Sequence, residues 1–296
     1  MLRLGLATAP YLPQGVPDDQ LVLPYLAQHG IEAVFVNWAE PLPAELDALI
    51  MRSTWSYFEI FEAFAAWIEQ LKTLRIPVAN PPARMQQNLS KRYLLELQAA
   101  GFATVPTRLI DADAPFGPAQ LAQALDHAPE LVLKPVISAA GHATYRVRDP
   151  DDLKPDDWCL LRQAQARDGL LLQPFVPQIQ SQGEWSLVFF GGHYSHAVNK
   201  RAAADQFLIH EEYGGQSTGQ SAPADLQSLA EAVVARFAPD CLYARVDAIW
   251  HQEQWQVMEL ELIEPALYLA QDPAAPARWA EAIARWLAAE RPQRAA

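Results

Sequence analysis

The stretch "YARVDAIWHQEQWQVMELELIEP" (residues 243–265) decides how the rest of the chain is read. Two apolar runs, Tyr243–Trp250 and Trp255–Leu262, flank a short polar turn, the pattern of an antiparallel hairpin. Glu259, Glu261 and Glu264 interrupt what otherwise reads as core. Side chains alternate along a strand, so Glu259 and Glu261 share one face while Leu260 and Leu262 share the other. Two residues along a strand span only about 7 Å, and like charges that close disfavour each other. A positive charge is therefore expected between them. A three-residue turn pairing residues 251 and 255 sets Asp247 opposite Glu259 and Arg245 opposite Glu261. Directly opposed residues share a face, so that register gathers three carboxylates and one guanidinium. A two-residue turn would set Asp247 opposite Met258 and break up the patch. The charge pattern favours the first register, since the second wets both faces of the hairpin. Three carboxylates without a nearby His or Cys form an all-oxygen site, suited to Mg²⁺ or Mn²⁺ rather than zinc. Mg²⁺ held by carboxylates usually completes its shell with substrate phosphates and water. The plain alternative is a hairpin whose acids face solvent beside a lone arginine.

Working outward, "LRLGLAT" (2–8), "IEAVFVNW" (31–38), "LDALIM" (46–51) and "IPVAN" (76–80) read as strands. Between them "DDQLVLPYLAQHG" reads as one helix stopped by Gly30, and Phe58, Phe61, Ala65, Ile68 and Leu71 recur at helical spacing. Alternating elements of this kind predict a parallel, doubly wound sheet, with a boundary at Pro81–Pro82. "SKRYLLELQAAG" (90–101) reads as a helix capped by Ser90 and ended by Gly101. From residue 131 the signal turns mainly β, through "LVLKPV", "ATYRVR", "GLLLQPFV", "EWSLVFF" and "HYSHAVNK", and the chain closes with the amphipathic run "PARWAEAIARWLAAE". The expectation is an N-terminal α/β domain followed by a mixed, mostly antiparallel α+β region.

The 296 residues exceed one minimal domain, and 51% hydrophobic with 19% charged residues suits globular cores. A net charge of −13 argues against a nonspecific nucleic-acid binder, which needs clustered Lys and Arg, but leaves room for a nucleotide site. Cys159 and Cys241 are too few for a disulfide scaffold. The N-terminus lacks a signal-peptide core and no run approaches the roughly 20 apolar residues of a membrane span. A cytoplasmic protein is the expectation, and a homo-oligomer is compatible with this surface.

If the cation carries a nucleotide, basic groups should sit nearby. Lys134 lies inside the apolar strand "LVLKPV", an expensive place for an ammonium without a partner. "SAAGHAT" (138–144) follows, a small-residue turn whose N–H groups could close over phosphates. Lys91 falls in the first turn of its helix, where the dipole favours an anion rather than a cation. Lys200 and Arg201 end another strand. Taken singly, each lysine also reads as a snorkelling surface residue. The chain has neither a P-loop nor a GxGxxG motif. Arg52, Ser53 and Thr54 follow the third strand, where ligands bind in open α/β sheets, and Arg52 could grip a carboxylate in bidentate fashion. His193 and His196 are three apart on a strand and face opposite ways, which disfavours zinc.

A lysine at a helix start, a second in an "LKP" strand before a small-residue loop, then "LLLQPFV", "ARVD" and "MELE" resemble the ATP-grasp superfamily over roughly residues 80–270. "RSTW" (52–55), "NLSKRYL" (88–94), "QPF" (173–175), "GEWSL" (183–187) and "ELELIEP" look like its glutathione-synthetase-like branch, which includes the O-ureido-serine cyclo-ligases. The resemblance implies an ATP-grasp fold behind a doubly wound N-terminal domain. It divides the chain into 1–82 on the substrate side, 83–172 as the central subdomain with the lid, and 173–296 as the C-terminal subdomain with the metal site. It implies that Lys91 and Lys134 hold ATP phosphates, that Gln173, Pro174, Phe175 and Val176 form the hinge strand bonding adenine through its backbone, and that Ser138 to Gly141 form the lid. Asp247, Glu259 and Glu261 would bind Mg²⁺, with Mn²⁺ as a substitute. Arg245, with Lys200 beside it, would neutralise charge during transfer of the γ-phosphoryl group. Arg52, Ser53 and Thr54 would meet the substrate.

The chain departs from the pattern at Glu261, where many relatives have Asn, at Ser56, where Asp is common, and at Leu208 and His210 within "DQFLIHEEYGGQ". The implied activity is ATP-dependent ligation of a small amino-acid-like carboxylate through an acyl phosphate, to an amine or within one molecule. The rival readings are a small-molecule kinase and a non-catalytic ATP-binding regulator.

Overall fold

The computed structural model describes residues 1–55, 57–138, 141–202 and 214–290. Ser56, the lid residues Ala139 and Ala140, and Leu208 and His210 lie outside the described residues. The chain builds three sheets in sequence order. The first is parallel, in the order β2 (Ile31–Asn37), β1 (Leu2–Thr8), β3 (Ala48–Ser53), β4 (Val78–Ala79). Every residue of β3 is buried, as expected of a strand covered on both faces. The expected single helix over 18–30 is instead two short ones, α1 (Pro17–Gln20) and α2 (Leu23–Gln28), because Pro24 cannot continue a preceding turn and starts a new one. Helix α3 (Phe61–Leu71) buries Phe64, Ile68 and Leu71 against this sheet.

The second sheet has the order β5 (Arg108–Ile110), β8 (Leu170–Pro174), β6 (Leu131–Pro135), β7 (Tyr145–Val147). One face packs on Leu121 and Ala124 of α6 (Pro118–Leu125) and on Trp158 and Leu161 of α7 (Pro155–Asp168). The third is antiparallel, in the order β11 (Gln216–Gly219), β10 (His193–Arg201), β9 (Glu184–Phe190), β12 (Tyr243–His251), β13 (Gln254–Glu261). Helices α5 (Tyr93–Ala99) and α9 (Ala224–Phe237) cover its inner face through Leu94, Leu97, Leu226, Ala230 and Val233. The mainly β signal after residue 131 therefore hid α7 and α9, 14 residues each.

Several expected boundaries move. The division at 172/173 falls inside β8, because Leu170 to Pro174 form one ladder with β6. Helix α5 belongs by packing to the third sheet, and the final helix α10 (Ala275–Glu290) returns to the core shared with the first sheet through Trp279, Ile283 and Leu287. Ser90 does not cap α5; its hydroxyl donates to Asp168, and Lys91 lies in the turn before the helix with its N–H on the Val136 carbonyl at 2.9 Å. Gly101 ends α5 at a φ of +86°, as expected.

Two asparagines tie the first sheet to the third. Buried Asn80 donates to the carbonyls of Tyr243 and Leu262, both at 2.8 Å, and accepts from Leu242 N–H at 2.7 Å and Tyr243 N–H at 3.2 Å. Asn88, in α4 (Pro82–Asn88), donates to the Leu260 carbonyl and accepts from Leu262 N–H, each at 2.8 Å. Neither lattice of bonds survives loss of the amide. Asn80→Ala is expected to destabilise the protein by about 3 kcal/mol, since four buried backbone groups lose a partner. Chemical denaturation measures this, and a loss below ~1 kcal/mol would show that the amide is not needed there.

Candidate active site

The hairpin of β12 and β13 has a two-residue turn: His251 pairs with Gln254, and Gln252 and Glu253 take φ values of +50° and +61°. That turn alone would have dispersed the acids. A β-bulge at Met258 restores them, because Ala248 pairs with Val257 while Asp247 pairs with Glu259 and Arg245 with Glu261. The expected register is thus present for a different reason. Carboxylate oxygens of Asp247, Glu259 and Glu261 lie within 4.8 Å of one another.

The neighbouring strands supply the cations. Ser186 on β9 is directly opposite Asp247 and donates to its Oδ1 at 2.6 Å. Lys200 on β10 is directly opposite Glu184 on β9, and its Nζ lies 2.6 Å from Glu184 and 3.1 Å from Asp247 Oδ2. Only glycine fits at 183: φ is +79°, and a Cβ there would stand 2.5 Å from the Lys200 carbonyl oxygen. This close approach brings Glu184 against Lys200. Arg245 grips Asp247 with Nε and Nη2, both at 2.9 Å, and Nη2 also meets Glu261. Lys91 donates to Glu259.

These contacts set the charges. Burial works against ionisation of Asp247, but Arg245 and Lys200 overcome it and hold its carboxyl well below the usual range. Burial likewise opposes Glu259, and Lys91 and Lys134 outweigh it, lowering its pKa. Burial dominates at Glu261, pushed up to about 8, with Glu259 and Asp247 adding to it against Arg245. Glu184 rises to about 7, chiefly by burial. The patch therefore holds more acid than its cations neutralise. Glu259 and Glu261 keep 25% and 26% of their side chains exposed, so an ion can reach them. An all-oxygen set in which Glu261 can exchange its proton for a cation fits a divalent magnesium-like ion.

Across from the patch lies the second sheet. Leu131, Leu133 and Pro135 of β6 are buried on one face, which turns Val132 and Lys134 to the other. Val132 joins Val105, Phe175, Val176, Ile179, Ile249 and Met258 in an apolar cluster. Ile249 lies two residues from Asp247 on β12 and shares its face. Lys134 and the acids thus look into one cleft floored by apolar side chains. Burial lowers the Lys134 pKa against the attraction of Glu259, and among the described residues its ammonium has no carboxylate within ion-pairing distance. The Gln173 side chain, on the same face, is tied to Thr107 at 2.8 Å. The Phe175 N–H bonds the Glu130 carbonyl at 2.9 Å, whereas the Val176 N–H engages no backbone carbonyl among the described residues. Ser138 is buried with its hydroxyl turned to the Pro135 carbonyl at 3.4 Å, and Gly141 takes a φ of +70°. A surface hollow lined by Arg108, Phe116 and His127 shares no residue with this cleft.

The bidentate grip expected of Arg52 is already engaged. Its Nε lies 2.8 Å from Asp19 and its Nη2 3.1 Å from the Pro265 carbonyl, both in the interior. Ser53 is likewise internal, its hydroxyl 2.8 Å from that of Thr8, and Thr54 is fully buried. His196 is buried against the Leu267 carbonyl at 2.8 Å and His193 is exposed, so the two do not converge. Glu184 and Ser186 escaped the sequence reading, although two polar residues spaced by two in "GEWSL" carried the signal.

Comparison with known proteins agrees with this geometry. Residues 4–80 match the family model described as D-cycloserine synthetase DcsG, N-terminal domain. The chain is 27% identical over 270 residues to the cycloserine biosynthesis protein DcsG of Streptomyces lavendulae, covering 87% of this chain and 90% of that one. The crystal structure of D-cycloserine synthetase DcsG superposes with a TM-score of 0.83 at 26% identity, covering 96% and 99%. The RimK domain ATP-grasp protein of Sphaerobacter thermophilus gives 0.68 at 19% identity over 96% and 99%. The ATP-grasp ligase PsnB, solved with magnesium and ADP, gives 0.62 at 13% over 97% and 99%. Among the described residues no helix is long and apolar enough to cross a membrane. The chain has the ATP-grasp fold and is an ATP-dependent ligase.

Proposed function

We propose that this ligase activates the carboxylate of a small amino-acid-like substrate as an acyl phosphate and closes a nucleophile of the same molecule onto it. The observation that carries the reading is the cleft itself: three converging carboxylates face a lysine that, among the described residues, has no counter-ion. ATP supplies what both sides want. Its phosphates meet Lys134 and Lys91, and its base lies on the apolar cluster beside the 173–176 segment, where the Val176 N–H engages no backbone carbonyl among the described residues. Asp247, Glu259 and Glu261 hold magnesium, which when bound screens the phosphates and polarises the transferring group. Lys91, which donates to Glu259, also takes phosphate.

Arg245 sits between Asp247 and Glu261 and stabilises charge on the oxygens of the γ-phosphoryl group as it passes to the substrate carboxylate and ADP departs. Lys200 contacts Asp247 and Glu184 and holds Asp247 in place. In the second step the nucleophile attacks the carboxyl carbon. Phosphate leaves with the bonding electron pair, and the nucleophile loses a proton. The cyclising mode is supported by likeness, along most of both chains, to a protein named for D-cycloserine synthesis. D-cycloserine is a five-membered ring closed through a nitrogen onto a carboxyl carbon.

Asp247→Asn and Glu259→Gln are expected to reduce ATP turnover by at least roughly 100-fold while circular dichroism stays unchanged; wild-type rates in either would remove the metal assignment. Lys134→Ala should weaken ATP binding by about tenfold or more, and an unchanged affinity would exclude its phosphate role. Lys200→Met leaves buried Glu184 without its cation and Asp247 with Arg245 alone. It is expected to lower stability by about 3 kcal/mol, and Glu184→Gln in the same chain should recover part of that loss. Coupled release of ADP and phosphate, screened over D- and L-amino acids bearing a side-chain amine or oxyamine, tests the ligase reading. Turnover without phosphate release would point to a kinase instead.

A further inference from the structure

Among the described residues five carboxylates surround the cleft, and four of them have a cation. Asp247 has Arg245 and Lys200, Glu184 has Lys200, Glu259 has Lys91 and Glu261 has Arg245. Glu264 is the fifth. Among the described residues no lysine or arginine lies within ion-pairing distance of it, and its oxygens are not among those that converge around Asp247. The contrast with Lys134 is informative: one unpaired ammonium faces the nucleotide side, and one unpaired carboxylate stands elsewhere in the same cleft.

Its place is set by the first sheet. Beyond the end of β13 the chain turns against the segment following β3: Trp55 Nε1 donates to the Glu264 carbonyl at 3.0 Å and Arg52 Nη2 to the Pro265 carbonyl at 3.1 Å. The Tyr57 ring, stacked on Phe64 with centroids 4.8 Å apart, brings its phenol to the Glu264 carboxylate. Burial, then Glu264 and the other acids, keep that phenol protonated, so it donates. Three buried polar atoms of the same wall have no protein partner: Arg52 Nη1, Asp19 Oδ2 and Thr54 Oγ1. Burial pushes the Glu264 pKa to about 7 against the attraction of Lys91 and Arg245.

We propose that Glu264, oriented by Tyr57, binds the ammonium group of the amino-acid substrate. The proposal rests on the amino-acid ligase reading above. It adds a specificity determinant: acids without an amine would be disfavoured because half-buried Glu264 would stay unpaired. The cation it takes belongs to the substrate and not to magnesium.

Calorimetry with Mg²⁺–ADP present separates the two readings, using D-cycloserine and its desamino analogue isoxazolidin-3-one as probes near neutral pH. The wild type is expected to prefer D-cycloserine by at least roughly tenfold, and Glu264→Gln should bring that ratio close to one. Mg²⁺–ADP affinity should stay the same in the variant, which also shows that it is folded. Tyr57→Phe should lower the ratio partly. A Glu264→Gln protein that keeps the full preference, or that loses Mg²⁺–ADP binding instead, overturns the assignment. A wild type that binds Mg²⁺–ADP but neither probe overturns the cyclising substrate reading and this proposal with it.

Discussion

Carboxylates set within 5 Å of one another in a protein interior cannot all stay ionised without cations between them. Much of the third sheet answers that constraint. Arg245 is placed opposite Glu261 and two residues from Asp247; Lys200 reaches Asp247 from β10; Lys91 reaches Glu259 from the turn before α5. The balance remains incomplete: burial raises Glu261 to about 8 and Glu184 to about 7, so Glu261 largely keeps its proton near neutral pH. A divalent ion that takes the place of that proton would complete the patch. A fully balanced patch would be a structural ion network and nothing more.

The same logic explains why three sheets are needed. The third sheet carries the acids on one face and a closed apolar core on the other. The second presents Lys134 and Val132 across the cleft, with its own core behind. The first sheet makes few contributions to the acid patch, yet it holds the metal-bearing strand and the segment beyond it. Asn80, Asn88, Trp55 and Arg52 all bond to main-chain groups between Leu242 and Pro265. Rigid support of this kind keeps catalytic groups within a fraction of an ångström of their working positions.

How much of this was legible in the sequence depended on the range of the interaction. Alternation along "VMELELIEP" reported the shared face of Glu259 and Glu261 because side-chain period is local. The pairing of Asp247 with Glu259 was also inferred, but through a turn length the chain does not use; the bulge at Met258 has no local signature in a strand of ordinary residues. Arg52 shows the other limit. Its position at the end of β3 was readable, whereas its engagement by Asp19, 33 residues earlier, and by Pro265, 213 residues later, arises only in the tertiary fold. Ser90 looked like a helix cap for the same reason that it is one elsewhere, a short hydroxyl before an apolar run, and Asp168 captures it instead. The ATP-grasp fold was legible from motif order, and 26% identity to a solved structure with a TM-score of 0.83 agrees with it.

The central claim is that the carboxylate patch and Lys134 form one magnesium–nucleotide site. Titration of the purified protein with a nonhydrolysable ATP analogue, with and without Mg²⁺, tests it most directly. The account predicts tight binding only when Mg²⁺ is present. Equal affinity with and without the metal, or no binding in either condition, would contradict it.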